Sequence, residues 1–175
     1  RNACQAMSSE VFQSSLQTVI GRIVISADDQ FITKLEFNND VVVGANPDIP
    51  EHLAESVRQV SAYFEHPETE FHLPLVPSPT NFQTEIRAAL ASIVCGKTAT
   101  YEAMARKVNK QGASRAVGMA LSRNPLLIIV PCHRVIGSNG SLTGFAGGLH
   151  RKRWLLIHER KRPLLAGLCD LNEEL

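Results

Sequence analysis

The sequence predicts an α+β fold in two parts, a strand-bearing α/β first part and a mostly helical second part. Three observations carry that expectation. Short β-branched runs open the chain, and stripes of helical period fill it after residue 80. Between them, Leu73-Pro74-Leu75-Val76-Pro77-Ser78-Pro79 holds three prolines in seven residues, which no helix accommodates. The boundary is placed there, giving domains 1–79 and 80–175. At 175 residues, 44% of them hydrophobic, the chain can bury a sizeable core.

The elements follow in order. Arg22–Ser26 and Phe31–Phe37 read as strands, with Asp28-Asp29-Gln30 supplying turn chemistry for a hairpin. Val41–Val43 reads as a further short strand, and Phe71–Leu75 as another. Pro50 opens a helix to Phe64, with Leu53, Val57, Val60 and Phe64 at helical spacing. After the prolines, Thr80 or Asn81 caps a helix whose stripe is Phe82, Ile86, Leu90 and Ile93, ending at Gly96. A second helix runs over Tyr101–Val108. Lys110-Gln111-Gly112 turns the chain, and a third helix follows Ser114 until Asn124-Pro125 stops it. Two short helices joined by a glycine-containing turn suggest a helix-turn-helix, although ordinary helical hairpins share the pattern. On the third helix, Arg115, Gly118, Met119 and Ser122 share one face, while Val117, Ala120 and Leu121 form the apolar one. Ala116, Gly118 and Ala120 are small enough to let a backbone approach. Arg115 stands at the helix start, where the dipole disfavours a cation, so it is either a solvated side chain or one with a function.

Charge divides at the prolines. Residues 1–79 carry four Lys/Arg and eleven Asp/Glu, a net of −7, while residues 80–175 carry fourteen and six, a net of +8. The whole-chain value of +1 conceals this. A basic half suggests an anionic partner, or else attraction between the halves. No apolar run approaches a membrane span; the longest, Leu126–Val130, is strand-sized. Arg1–Glu10 is mostly polar and reads as no secretory signal. Cys4, Cys95, Cys132 and Cys169 form no CxxC pair, so neither a zinc site nor a disulfide framework is expected. The cytoplasm, or a nucleus, is the expected compartment.

Chemistry concentrates at Pro131-Cys132-His133-Arg134-Val135. A cysteine beside His and Arg stands in an electropositive setting, which favours thiolate and makes Cys132 a candidate nucleophile. In an extended chain, Cys132 and His133 would point to opposite sides, so a water or a tight bend must link them. Glu159 lies on a helix from Leu149, on the face of Leu155 and Leu156. It either orients His133 or turns to solvent or to Arg160 or Arg162. Gly137-Ser-Asn-Gly140 and Gly144-Phe-Ala-Gly-Gly148 bracket a glycine-rich loop that matches no phosphate-binding fingerprint. His150–Arg153 reads as a solvated helix start.

The pentapeptide at 131–135 resembles that of the O6-alkylguanine-DNA alkyltransferases. Arg115-Ala116-Val117-Gly118 is similar to that family's recognition helix, Asn124-Pro125 to its asparagine hinge, and Tyr101 to the tyrosine opening its helix-turn-helix. Gly147-Gly148, Trp154-Leu155-Leu156 and His158-Glu159 continue in the family's order. The resemblance is close over residues 80–160. Before that it holds in pattern and length, where the family carries a ribonuclease-H-like domain.

The resemblance implies a partner, double-stranded DNA containing O6-alkylguanine, bound through the minor groove by a winged or plain helix-turn-helix. Arg115, Ala116, Gly118, Met119, Ser122 and Arg123 would contact the DNA, with Arg115 replacing an extruded base. Asn124, Val135, Phe145, Ala146, Gly147 and Gly148 would form the base pocket. Cys132 would take the alkyl group, His133 would act as base through a water, Glu159 would orient it, and Tyr101 would assist the departing purine. The S-alkyl thioether would end the reaction, so each molecule acts once. O4-alkylthymine is an expected second substrate. No cofactor or metal is implied: the zinc that some members hold needs two Cys and two His in the first domain, which offers only Cys4 as a thiol. Phe145 stands where many members have Tyr. The protein would be a monomer, binding cooperatively on DNA in some settings. Residues 80–162 carry fourteen basic and three acidic side chains, so the positive charge would sit on DNA and the acidic first domain would face away. Two other classes fit parts of the pattern. A helix-turn-helix regulator or lesion sensor would not need Cys132, and a Cys-His hydrolase would not need Arg115.

Overall fold

The structure, a computed structural model, describes residues 10–44 and 46–160. Cys4, Cys169, Arg162 and the acidic 163–175 stretch lie outside the described residues. The fold is α+β: a three-stranded antiparallel sheet, helices, and a two-stranded parallel ribbon.

The sheet runs β1 (Phe12–Thr18), β2 (Gly21–Ala27), β3 (Ile32–Phe37) in that spatial order. Residues 23–27 of the central strand are all buried, which is why it reads as an apolar run rather than an alternation. The predicted hairpin is β2–β3, and the Asp28 carboxylate closes its turn by accepting from the N–H groups of Gln30 (2.8 Å) and Phe31 (2.7 Å). Sequence reasoning missed β1: FQSSLQT is polar because it is an edge strand, paired on one side only. Val41–Val43 is not a strand. The Val41 carbonyl instead accepts from Arg22 Nη1 at 2.8 Å, and Val42 is exposed. Phe71–Leu75 is not one either, reaching the sheet only through a parallel bridge from Leu75 to Ile32.

Helix α1 (Glu51–Glu65) starts after Pro50, as predicted, and packs on all three strands. Its buried residues are Leu53, Ser56, Val60 and Tyr63, so the inward face is rotated from the apolar stripe read in the sequence. The proline segment is docked, with the Ile32 N–H donating to the Pro74 carbonyl (2.7 Å) and the Val76 N–H to the Ile32 carbonyl (2.9 Å).

Thr80 caps α2 (Asn81–Ala91) by accepting from the Gln83 N–H at 3.2 Å; the helix ends at Ala91 rather than Gly96. Strands β4 (Ala99–Thr100) and β5 (Val135–Ile136) pair in parallel, setting Tyr101 beside the segment after Cys132. Helices α3 (Tyr101–Lys107) and α4 (Ser114–Ser122) form the predicted helix-turn-helix. Glu102 fastens its turn, accepting from Ser114 Oγ (2.8 Å) and the Gly112 N–H (3.4 Å). Helix α5 (Leu149–Arg160) closes the described chain.

Leu126–Val130 is buried as expected but is not a strand. Its residues form consecutive turns, with one bridge from Leu126 to Leu35 and Ile128 at φ +69°. A β-branched residue there costs about 1–3 kcal/mol, tolerated only where surroundings over-determine it. No helix among the described residues is long and apolar enough to cross a membrane.

Candidate active site and nucleic-acid interface

Cys132, His133 and Arg134 form a single 3-10 turn rather than extended chain. This is the tight bend that the sequence offered as one of two alternatives, and it brings two consecutive side chains into one buried region: Cys132 is 5% exposed and His133 fully buried. Asn124, the residue before Pro125, braces the turn. Its Nδ2 donates to the Val130 carbonyl (3.1 Å) and lies 3.2 Å from Cys132 Sγ, while its Oδ1 accepts from the Leu126 N–H (3.0 Å).

Beneath the cysteine, Glu159 turns inward, not to solvent. Its Oε1 accepts from His133 Nε2 (2.7 Å), Arg134 Nη2 (3.0 Å) and the Tyr63 hydroxyl (2.9 Å). Its Oε2 accepts from Arg134 Nε (2.9 Å) and the Gly96 N–H (3.4 Å). Burial alone would raise the Glu159 pKa, but the bonds from His133 and Arg134 outweigh it and hold it at about 2. Burial lowers the His133 pKa despite the carboxylate beside it, so the ring is neutral at rest. With Nε2–H committed to Glu159, the lone pair sits on Nδ1, which has no partner among the described residues. Nδ1 is therefore the ring atom able to take a proton.

The electropositive setting expected to produce a resting thiolate is absent. Arg134 is neutralised by Glu159 and His133 is uncharged, so burial dominates and pushes the Cys132 thiol up; Asn124 and Lys152 pull it down only in part. Cys132 is therefore a thiol at rest.

The basic run His150–Arg153 is not simply solvated either. Lys152 is buried and donates to the carbonyls of Val135 (2.6 Å) and Thr143 (2.7 Å), tying β5 to the glycine-rich loop. Arg151 donates to the carbonyls of Gly147 (2.9 Å) and Ile20 (2.7 Å), with its guanidinium over the Phe37 ring. On the same loop, the Phe145 ring stands edge-on to His133, its carbonyl accepts from the Gly148 N–H, Gly147 is buried and Ala146 is exposed. A Cβ on Gly147 would lie 2.6 Å from the Phe145 ring and 3.0 Å from Phe37, so a larger residue there would displace the Phe145 ring that faces His133. The Tyr101 hydroxyl donates to the Thr143 carbonyl at 3.1 Å.

The structure thus brings together Cys132, His133, Glu159, Asn124 and Phe145, with Val135 and Tyr101 tied in through the ribbon and loop. Ala146, Gly147 and Gly148 share the loop of Phe145, and the predicted DNA-contacting residues lie apart from it. On and beside α4, Arg115, Ala116, Met119, Ser122 and Arg123 are exposed, and Gly118 backs onto the Tyr101 ring. Arg115 makes no hydrogen bond or ion pair among the described residues. Sequence reasoning missed Tyr63, Arg134, Lys152 and Glu102. Arg134 was within reach, since a buried Glu159 needs a cation.

Fold and site together define a helix-turn-helix protein with a buried cysteine next to a buried His–Glu pair. Two family models divide the chain: the ribonuclease-like domain of 6-O-methylguanine DNA methyltransferase matches residues 11–77, and the DNA binding domain of that protein matches residues 81–161. A methylated-DNA--protein-cysteine methyltransferase from Mycobacterium leprae is 40% identical over 86% of this chain and 93% of its own. One from Methanosarcina acetivorans is 39% identical over 83% and 96%. Crystal structures agree. The O6-methylguanine methyltransferase of Mycobacterium tuberculosis superposes with a TM-score of 0.77 at 36% identity, covering 90% of this chain and 97% of that one. The same organism's protein in complex with DNA gives 0.73 at 37%, covering 85% and 92%. The chain belongs to the 6-O-methylguanine-DNA methyltransferase family.

Proposed function

We propose that this protein repairs DNA by direct reversal, moving the alkyl group of O6-alkylguanine irreversibly onto Cys132. The observation that carries the reading is the Cys132 thiol, held by Asn124 beside a buried neutral histidine whose other nitrogen is anchored to a carboxylate. His133 accepts the thiol proton at Nδ1 through a bridging water, and Glu159 stabilises the imidazolium that forms. The sulfur bonds to the alkyl carbon as the C–O6 bond breaks. Guanine leaves with that electron pair and is protonated through solvent, restoring neutral His133. Tyr101 hydrogen-bonds the departing purine near N3. The product thioether is a poor leaving group, so each molecule acts once.

In this reading, α4 enters the minor groove, its small residues admitting the sugar-phosphate backbone, and Arg115 fills the place of the extruded nucleotide. The free, exposed guanidinium at the start of α4 supports that role. The base lies against the 145–148 loop, read by backbone groups of Cys132, Val135 and Ala146. O4-alkylthymine is accepted by the same site, the protein acts as a monomer, and residues 1–79 and 80–175 are its two domains.

Mass spectrometry after mixing with duplex DNA carrying O6-methylguanine tests this. One CH2 increment of about 14 Da should appear on a peptide containing Cys132, with a yield of one per molecule. Modification at Cys95, or continued turnover, would sink the proposal.

A further inference from the structure

Glu159 Oε1 accepts three hydrogen bonds, and one of them does not come from the cysteine turn. Tyr63, on α1, is 1% exposed and reaches across 96 positions of sequence to donate its hydroxyl at 2.9 Å. The side chain is locked in place. Its ring packs on Phe64, Phe71 and His158, and His158 Nε2 in turn bonds the Tyr63 backbone carbonyl at 2.8 Å. Burial and the neighbouring carboxylate keep the phenol protonated, so toward Glu159 it can only donate.

We infer that Tyr63 is a positioning residue for alkyl transfer: its hydroxyl holds Glu159 Oε1 and thereby sets how strongly His133 binds a proton. The reasoning is that of competing donors. A carboxylate oxygen that already accepts from a phenol and a guanidinium pulls less on a third proton. Tyr63 therefore restrains the histidine, keeping it neutral and ready to accept at Nδ1 rather than permanently charged by its carboxylate. The other ionisable groups around the pair are Arg134 on the cysteine turn, Cys95 after α2, and Lys152 and His158 on α5, with Cys132 itself above. Of these, Arg134 alone also donates to Oε1. The inference rests on the reading of His133 as the proton acceptor, and it makes α1 a contributor to the chemistry of a cysteine on the other side of the proline segment.

Tyr63→Phe removes one oxygen and keeps the ring. By proton NMR on the DNA-free protein, the His133 Nε2–H resonance should move downfield as its bond to Glu159 strengthens. The acid limb of the methyl-transfer rate should move to higher pH by about half to one unit. Fluorotyrosine incorporation, which makes the phenol a stronger donor without changing its packing, should move the resonance upfield; among the described residues Tyr101 hydrogen-bonds only Thr143 and leaves His133 untouched. If both substitutions leave the resonance in place, or Tyr63→Phe lowers the rate equally at every pH, Tyr63 only packs and the inference fails. Failure of the underlying reading looks different: the wild-type protein would show no acid limb linked to His133, while the resonance still responded to Tyr63.

Discussion

The exposed face of α4 and the buried group beneath Cys132 follow opposite physical rules. On α4, Arg115, Met119 and Ser122 stand in solvent, and Arg115 has no partner among the described residues. Under Cys132, each of the two Glu159 oxygens accepts at least two bonds, and His133 and Glu159 have no side-chain exposure. Surface charges are individually weak and screened by salt, whereas a buried pair is costly to break. In the function proposed above, the difference separates two tasks: affinity for DNA is assigned to a face the fold leaves free, and reactivity to a group the fold buries and pairs.

The sharpest way to separate the two regions is Cys132→Ser. Transfer should vanish while DNA binding, measured by fluorescence anisotropy, persists; lost binding would show that the two regions are one. Next in size is Glu159→Gln, which leaves Arg134 unpaired and His133 without its anion. Unfolding by denaturant should show a loss of about 3–5 kcal/mol, and transfer should slow by roughly 100-fold or more. Acid should act on the same group. The Glu159 pKa is depressed from 4.5 to about 2 in the folded protein, so its contribution is present above 4.5 and is lost as pH falls toward 2. That contribution is about 3 kcal/mol, and a stability profile without an acid-side decline, or one that Glu159→Gln does not flatten, would contradict the pairing.

Smaller effects belong to α4. Arg115→Ala should slow repair in duplex DNA by roughly tenfold or more, yet leave reaction with free O6-benzylguanine nearly unchanged; equal losses would move Arg115 into the reactive region. Least of all in wild-type behaviour, raising salt should weaken DNA binding linearly on a log-log plot without moving the thermal midpoint of the DNA-free protein much. A flat response would remove phosphate contacts from the α4 face.

The two regions were not equally legible in the sequence. The α4 face was read almost residue by residue, because helical spacing alone decides which side chains share a surface. The buried group was read only where it is local. Cys132 and His133 announce themselves as neighbours, but Tyr63 is 96 positions from Glu159, on a helix whose apolar stripe points to Val57 and Phe64. Periodicity scores apolar residues, so a helix that turns Ser56 and Tyr63 inward defeats it. The turns before Cys132 were hidden for a similar reason: Leu126–Val130 has a strand's composition, but the Asn124 side chain, bonding to Leu126 and Val130, holds it in turns. The run Arg151–Lys152 was misread because charge predicts exposure only when no carbonyl is within reach.

The outer edge of β3 has a bearing on how the chain is made. Leu35 donates its N–H to the Pro125 carbonyl (2.8 Å) and accepts from the Leu127 N–H (3.2 Å), two bonds that fix the segment leading to Cys132. A ribosome releases Leu35 long before Leu127, so for most of synthesis that edge stands open to any stray strand. The reactive loop is the piece that finally seals it, and assembling the repair site and ending the nascent sheet's exposure to aggregation are one event.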